Sequence, residues 1–255
     1  MKYSDNSNLE GKVALITGGD SGIGKETALA FANRGASIVI AARRESEGLE
    51  TLEMLRASGA KAEFVKTDVS DESQVEAMVA HTIKNFSRLD FAFNNAAITG
   101  EATPLDEYPR EVWDRVISVN LTGMWLCMQA EIRHMMTNGG GSIVNTASIA
   151  GLRGSPNLPA YSVSKWGVVG MTKAAAKGYG KHGIRVNVVS PGHTETPMLG
   201  LADDDEERLS DLVEQYPLGR IGQSIDIAEA VVWLCSDAAS FITGVSLPVE
   251  GGITA

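Results

Sequence analysis

At about 150 residues per domain, a chain of 255 residues makes one large domain or two small ones, and it can bury a core without disulfides or metals. Its composition is that of a globular protein, 44% hydrophobic and 21% charged, with 27 glycines and a net charge of −10. The acid excess argues against nucleic acid, which asks for a basic face, and no apolar run exceeds the six residues Ala230 to Cys235, too few to cross a bilayer.

Val13 to Thr17 reads as a strand, followed by a glycine turn and a helix from about Gly22 to Arg34, stopped by Gly35. Ser37 to Ala41 is a second strand, apolar after its serine, as a strand buried on both faces should be. Glu45 to Ser58 is a helix ended by Gly59, Ala62 to Thr67 a third strand, and Asp71 to about Phe86 the next helix. Asp90 to Phe93 is a fourth strand, and a long helical region covers roughly Glu111 to Met136 before Gly139-Gly140-Gly141. Ser142 to Thr146 is strand five, Ala160 to Lys181 a helix, Arg185 to Val189 strand six, and Val245 to Val249 the seventh. This alternation predicts the α/β class: a doubly wound, parallel seven-stranded sheet with helices on both faces. No Pro/Ser-rich hinge, composition shift or internal repeat divides the chain, so residues 1–255 are expected to form one domain.

The first turn reads Thr17-Gly18-Gly19-Asp20-Ser21-Gly22-Ile23-Gly24, between a strand and a helix. Glycine is needed where backbone approaches a pyrophosphate, which then rests on the free N–H groups and positive end of the helix dipole. A P-loop is a near miss here, from Gly19 to Gly24-Lys25, but Glu26 stands where a Ser/Thr hydroxyl should reach Mg²⁺. The turn resembles the T-G-x-x-x-G-I-G motif of the short-chain dehydrogenase/reductase family, and the resemblance runs from about Gly11 to Gly252. It implies a Rossmann-type dinucleotide-binding fold, with Gly18, Ser21, Gly22, Ile23 and Gly24 around the cofactor.

The ribose partner is chosen about 20 residues after the glycines, an acid for the NAD 2′-hydroxyl or a cation for the NADP 2′-phosphate. Strand two ends Ala41-Ala42-Arg43-Arg44, and family members that use NAD usually carry Asp where this chain has Ala42. The resemblance therefore implies NADP(H), held through Arg43 and Arg44, with NAD(H) the alternative. Ser21, where NADP users often place a second base, and the nearby Glu45 pull the other way. Asp68 and Val69 match the segment where the family grips adenine. Asn95 and Ala96 match the family's N-N-A-G, from which Ala97 departs.

Tyr161-Ser162-Val163-Ser164-Lys165 places a phenol and an ammonium at i and i+4 on one helical face. Alone, that spacing also fits a solvated surface pair. A cation about 4 Å away at an effective dielectric of 20 is worth roughly 4 kcal/mol, enough to lower a phenol by up to about three pKa units. The pair is therefore expected to make Tyr161 a serviceable acid/base. Thirteen residues upstream, Ser148 closes the end of strand five, beyond which such sheets bind ligands. The resemblance implies that Ser148 orients a carbonyl oxygen, that Lys165 also binds ribose, and that Asn120 bends its helix to hold a proton-relay water. It further implies that Pro191, Gly192, Thr194 and Thr196 (in P-G-x-x-x-T) hold the nicotinamide and a phosphate.

The reading is hydride transfer between NADP(H) and a ketone or secondary alcohol, with Tyr161 as general acid/base. A 3-oxoacyl-carrier-protein reductase, a sugar dehydrogenase and a catalytically silent NADP(H)-sensing protein are the alternatives. The expected pocket wall is Thr99, Ile149, Leu158, His193, Met198 and Leu199, under a lid at about 193–218. Eight acids and one base fall between Glu195 and Gln215, either a solvated helix face or a lid that repels anionic substrates. Cys127 and Cys235, 108 residues apart, read as two buried thiols in a reducing cytosol. His81, His134, His182 and His193 lack ligand spacing, so no metal is expected. The N-terminus lacks the apolar stretch of a signal peptide, giving a soluble cytoplasmic protein. The resemblance implies a homotetramer or homodimer.

Overall fold

The computed structural model describes residues 8–200 and 205–255. Strands β1 (Val13–Thr17), β2 (Ser37–Ala42), β3 (Ala62–Lys66), β4 (Phe91–Asn94), β5 (Gly141–Thr146) and β6 (Ile184–Pro191) each match a predicted one within two residues at either end. A two-residue β7 (Thr194–Glu195) pairs with β8 (Gly222–Gln223) outside the main sheet, and β9 (Ser246–Val249) is the expected seventh strand of that sheet. The main sheet runs β3-β2-β1-β4-β5-β6-β9, parallel throughout. Its order reverses between β1 and β4, and the crevice beyond the strand ends at such a reversal is where doubly wound sheets take ligands.

Successive strand residues face opposite sides, so the strands feed two cores. Leu15, Val39, Ala92, Ile143 and Val186 pack under α3 (Glu72–Phe86), α5 (Met124–Thr137) and α6 (Pro159–Tyr179). Ile16, Ile38, Ile40, Phe93 and Val144 pack under α1 (Gly22–Ala32), α2 (Glu45–Ala57) and α8 (Ser224–Cys235). Burial on both faces is why these strands are apolar without alternation. Helix α8 has no counterpart in the predicted elements. The expected long helix at 111–136 is divided: α4 (Arg110–Ile117) and α5 are joined by one wide turn, Ser118–Gly123, with i→i+5 bonding. Helix α7 (Glu206–Glu214) falls within the expected lid segment 193–218. Of the acidic run, Asp203 and Asp204 lie outside the described residues, as does most of the N-terminal segment read for a signal peptide.

Candidate active site

The glycine turn packs as closely as its sequence suggests. A Cβ on Gly18, whose φ is +64°, would stand 3.0 Å from Asn95 Nδ2 and 3.1 Å from Ala96 Cα. One on Gly24 would collide with the Gly18 carbonyl. Thr17 ties the turn to β4, its Oγ1 accepting from Asn95 N at 2.9 Å and from Ala96 N at 3.2 Å. Asn95 Nδ2 donates to the Thr17 and Gly18 carbonyls, both at 3.3 Å. Ser21 precedes α1 without capping it, and the first helical turn holds no acid, so the leading N–H groups at Gly22, Ile23 and Gly24 are left for an anion. Thr196, just after β7, packs its methyl over Gly22, so the segment that follows β6 reaches the glycine turn. A cradle closed to any Cβ and an uncapped helix start fit a dinucleotide pyrophosphate.

The two arginines after β2 separate into different roles. Arg44 donates to Asp20 Oδ2 and to Ser21 Oγ, each at 2.7 Å, and pairs with Glu47 at 3.3 Å. Asp20 accordingly raises its pKa above the usual arginine value. Arg44 thus braces the glycine turn. Arg43 is exposed and, among the described residues, has no ion-pair partner, while Glu45 is turned to Lys66 at 3.0 Å. The Asp68 carboxylate sits below its ordinary pKa: burial alone would raise it, but Ser70 donates from both Oγ (2.6 Å) and N (3.0 Å), with Arg43 and Arg115 adding to the effect. Val69 lies against Gly123 of the wide turn, where a Cβ would reach its carbonyl oxygen at 2.8 Å.

Ser148, Tyr161 and Lys165 converge where β5 ends, and Asn120 is joined to α6 through Ser164. Lys165 is 1% exposed, and its Nζ donates to the carbonyl of Thr146, the last residue of β5, at 2.8 Å. The same ammonium lies 5.4 Å from the Tyr161 ring centroid. The Ser148 hydroxyl faces the Tyr161 phenol and accepts from Ala150 N at 3.2 Å. Asn120, in the wide turn, clasps Ile98 after β4 with two bonds, Ile98 N to Oδ1 at 2.9 Å and Nδ2 to Ile98 O at 2.8 Å. Its Nδ2 also reaches Ser164 Oγ at 3.3 Å, which donates to the Tyr161 carbonyl at 2.7 Å.

The expected lowering of the phenol by the ammonium is not what burial produces. Desolvation pushes Tyr161 above 10, only partly opposed by Ser148, and pushes Lys165 down to about 7. An ammonium in a nearly dry site, with a carbonyl as its partner, gives up its proton more readily than a solvated lysine and so does less to lower the phenol beside it. Tyr161 is therefore a neutral phenol, a proton donor, in this state.

The strand-six segment forms the opposite wall. Pro191 ends β6 beside Val249, and Gly192 N donates to Val249 O at 3.2 Å. Thr194 is buried in β7, and Thr196 Oγ1 donates to its carbonyl at 3.2 Å. Tyr216 OH accepts from His193 N at 2.6 Å and lies 2.9 Å from His193 Nδ1. The Tyr216 hydroxyl and His193 Nδ1 share this second bond, its direction set by the histidine tautomer. Burial, then Arg153 and Arg208, lower the His193 pKa and keep the ring neutral. Tyr216 was not among the predicted residues; a tyrosine beyond the P-G motif carried no recognisable spacing. Of the expected pocket wall, Ile149 is buried, Thr99, Leu158, His193 and Leu199 are partly exposed, and Met198 is largely solvent-facing. Glu206, Glu207, Asp211 and Glu214 are exposed on α7, as a solvated face would be.

A family model described as "Enoyl-(Acyl carrier protein) reductase" matches residues 18–254. A solved short-chain type dehydrogenase/reductase from Mycobacterium marinum is 34% identical, with a TM-score of 0.92 over 98% of both chains. The chain belongs to the short-chain dehydrogenase/reductase family. Among curated members, the 2,5-dichloro-2,5-cyclohexadiene-1,4-diol dehydrogenase of Sphingobium indicum is 44% identical over 98% of this chain and 99% of its own. The cyclohexanol dehydrogenase of Acinetobacter sp. is 41% identical over 100% and 99%. The 3-ketoacyl-(acyl-carrier-protein) reductase of Brucella melitensis, solved with NADH, is 36% identical, with a TM-score of 0.91 over 97% and 100%. This short-chain dehydrogenase/reductase is thus an oxidoreductase of a family that uses NAD(P)(H).

Proposed function

We propose that this protein transfers hydride between NADP(H) and a ring-borne secondary alcohol or ketone, with Tyr161 exchanging the proton. The carrying observation is the convergence of Ser148, Tyr161 and Lys165 at the end of β5, across the crevice from the glycine turn. The cofactor would be held by the first N–H groups of α1, by Arg43, by the segment at Asp68 and Val69, by Asn95 and Ala96, and by Gly192 to Thr196. When bound, it supplies the hydride. Tyr161, a neutral phenol, donates its proton to the carbonyl oxygen, and Ser148 holds that oxygen as charge develops on it. Lys165 binds ribose hydroxyls and steadies the phenolate left behind. Asn120 fixes the wide turn against Ile98, which keeps a path from Lys165 to solvent in register.

The ring-borne substrate is supported by the two cycloaliphatic dehydrogenases among the relatives and by a mostly apolar wall whose polar members are Thr99 and His193. A 3-oxoacyl-carrier-protein substrate is the second reading, favoured by the family model's description and the Brucella enzyme. The exposed acids of α7 oppose it, since a carrier protein would bring acids of its own. We further infer one catalytic domain working as a homotetramer or homodimer in the cytoplasm. Trp125 and Trp166 on α5 and α6, Trp233 on α8 and the fully exposed Phe241 give apolar surface for a second copy. The two buried cysteines are unpaired, and no helix among the described residues is long and apolar enough to cross a membrane. The test is turnover over cyclohexanols, cyclohexanones and an acyl-carrier substrate, read by NADPH absorbance. A higher kcat/KM on the carrier substrate than on every cyclic compound overturns the ring-borne assignment.

A further inference from the structure

Glu131, on the sheet-facing side of α5, is fully buried at 0% exposure and belongs to no part of the mechanism above. Its Oε2 accepts from Asn94 Nδ2 at 2.9 Å, and that amide also donates to Asn145 Oδ1 at 3.1 Å. Asn145 Nδ2 in turn donates to Thr172 Oγ1 of α6 at 2.9 Å. The chain Glu131–Asn94–Asn145–Thr172 therefore crosses from α5 through the ends of β4 and β5 to α6. Two of its atoms are buried without a partner: Glu131 Oε1 and Asn94 Oδ1. Both are acceptors, and they sit on two side chains already bonded to each other. An unmet buried acceptor is costly, and a single proton placed between these two would relieve both.

We propose that Glu131 is a positioning residue that works in its protonated form, donating from Oε1 to Asn94 Oδ1 and so locking the ends of β4 and β5 in register. One proton satisfies both orphaned acceptors. The residue after Asn94 is Asn95, which holds the glycine turn, and the residue after Asn145 is Thr146, whose carbonyl receives Lys165. The locked pair thus lies directly behind both the cofactor cradle and the catalytic lysine. Burial raises the Glu131 pKa to about 7, opposed by the Asn94 bond. The surroundings supply no counter-charge. Val75, Met78 and Val79 of α3 are apolar, β4 and β5 offer carboxamides, and α6 offers a hydroxyl. A titratable neighbour, Cys127, has its thiol pushed well up by burial first and by Glu131 second, and stays neutral. The positioning half rests on the proposed catalytic reading; the protonation does not.

Glu131→Gln separates the two, because a glutamine presents an N–H where the acid presents an O–H. An infrared difference spectrum of wild type minus E131Q at about pH 6 is expected to show a protonated carboxyl stretch. Absence of that band overturns the proposal. E131Q is expected to keep NADPH affinity, read by fluorescence, within about twofold of wild type, while E131L loses about tenfold. A loss in E131Q equal to that in E131L also overturns it. Because the folded pKa is raised, wild-type stability is full below about pH 4.5 and falls as pH rises through about 7, and E131Q lacks that fall. None of these readouts needs turnover, so a wrong substrate or reaction leaves them intact.

Discussion

Replacing Arg43 with alanine separates the two dinucleotides. Arg43 is exposed past the end of β2 with no ion-pair partner among the described residues, so its guanidinium is not spent on the protein. A charge-assisted bond to a 2′-phosphate contributes about 1.5–3 kcal/mol, and solvent screening at an exposed site trims this to about 1–2 kcal/mol. The NADPH dissociation constant should therefore rise about 5- to 30-fold. NADH, lacking the phosphate, should shift by no more than about twofold. Arg44→Ala provides the control, because Arg44 is tied to Asp20, Ser21 and Glu47 and braces the turn proposed to hold either cofactor. It should weaken both by a similar factor. Fluorescence titration of each variant with each cofactor gives the four numbers. Equal losses for NADPH and NADH in R43A, or a selective NADPH loss in R44A, would refute the division of labour.

Gly24→Ala drives a Cβ into the Gly18 carbonyl and to 2.8 Å from Asn95 Nδ2. It should cost about 1–3 kcal/mol of stability and at least about tenfold in cofactor affinity, both measurable by a thermal shift with and without NADPH. Arg185 donates to the carbonyls of Leu234, Cys235, Ser236 and Ile242 at 2.6–3.3 Å, closing the end of α8. Arg185→Ala should lower stability by about 3 kcal/mol, a drop of roughly 6–12 °C in Tm, with kcat little changed. Lys165 gives the opposite pH trend to Glu131. Its folded pKa is lowered to about 7, so the unfolded chain binds more protons between there and the ordinary lysine range. Stability should rise with pH across that window in wild type and stay flat in Lys165→Met, by chemical denaturation.

The tight turn from Thr17 to Gly24 was legible because close backbone packing shows as glycine. The meeting of Ser148, Tyr161 and Lys165 was legible through a helical i, i+4 spacing and a strand end. Helix α8 was not, since Ile227, Ala228, Val231, Val232, Leu234 and Cys235 are all buried and leave little periodicity to read. The β7–β8 ladder rests on two residue pairs, too few for any pattern. The division of the long helix came only through a family resemblance at Asn120. Arg44 looked equivalent to Arg43 because its partner Asp20 lies 24 residues away in sequence. The direction of the Tyr161 shift depends on how dry the site is, and spacing says nothing of that. No spacing in the sequence sets Glu131 apart, and only its burial and the orphaned oxygens beside it do so.

Tyr161→Phe tests the central claim most directly, because it removes one oxygen that bonds neither backbone nor core. Turnover on a cyclohexanone should fall by about 10²- to 10⁴-fold while the NADPH dissociation constant stays within about twofold of wild type. Near-wild-type turnover in the phenylalanine variant would contradict the assignment of Tyr161 as the proton donor.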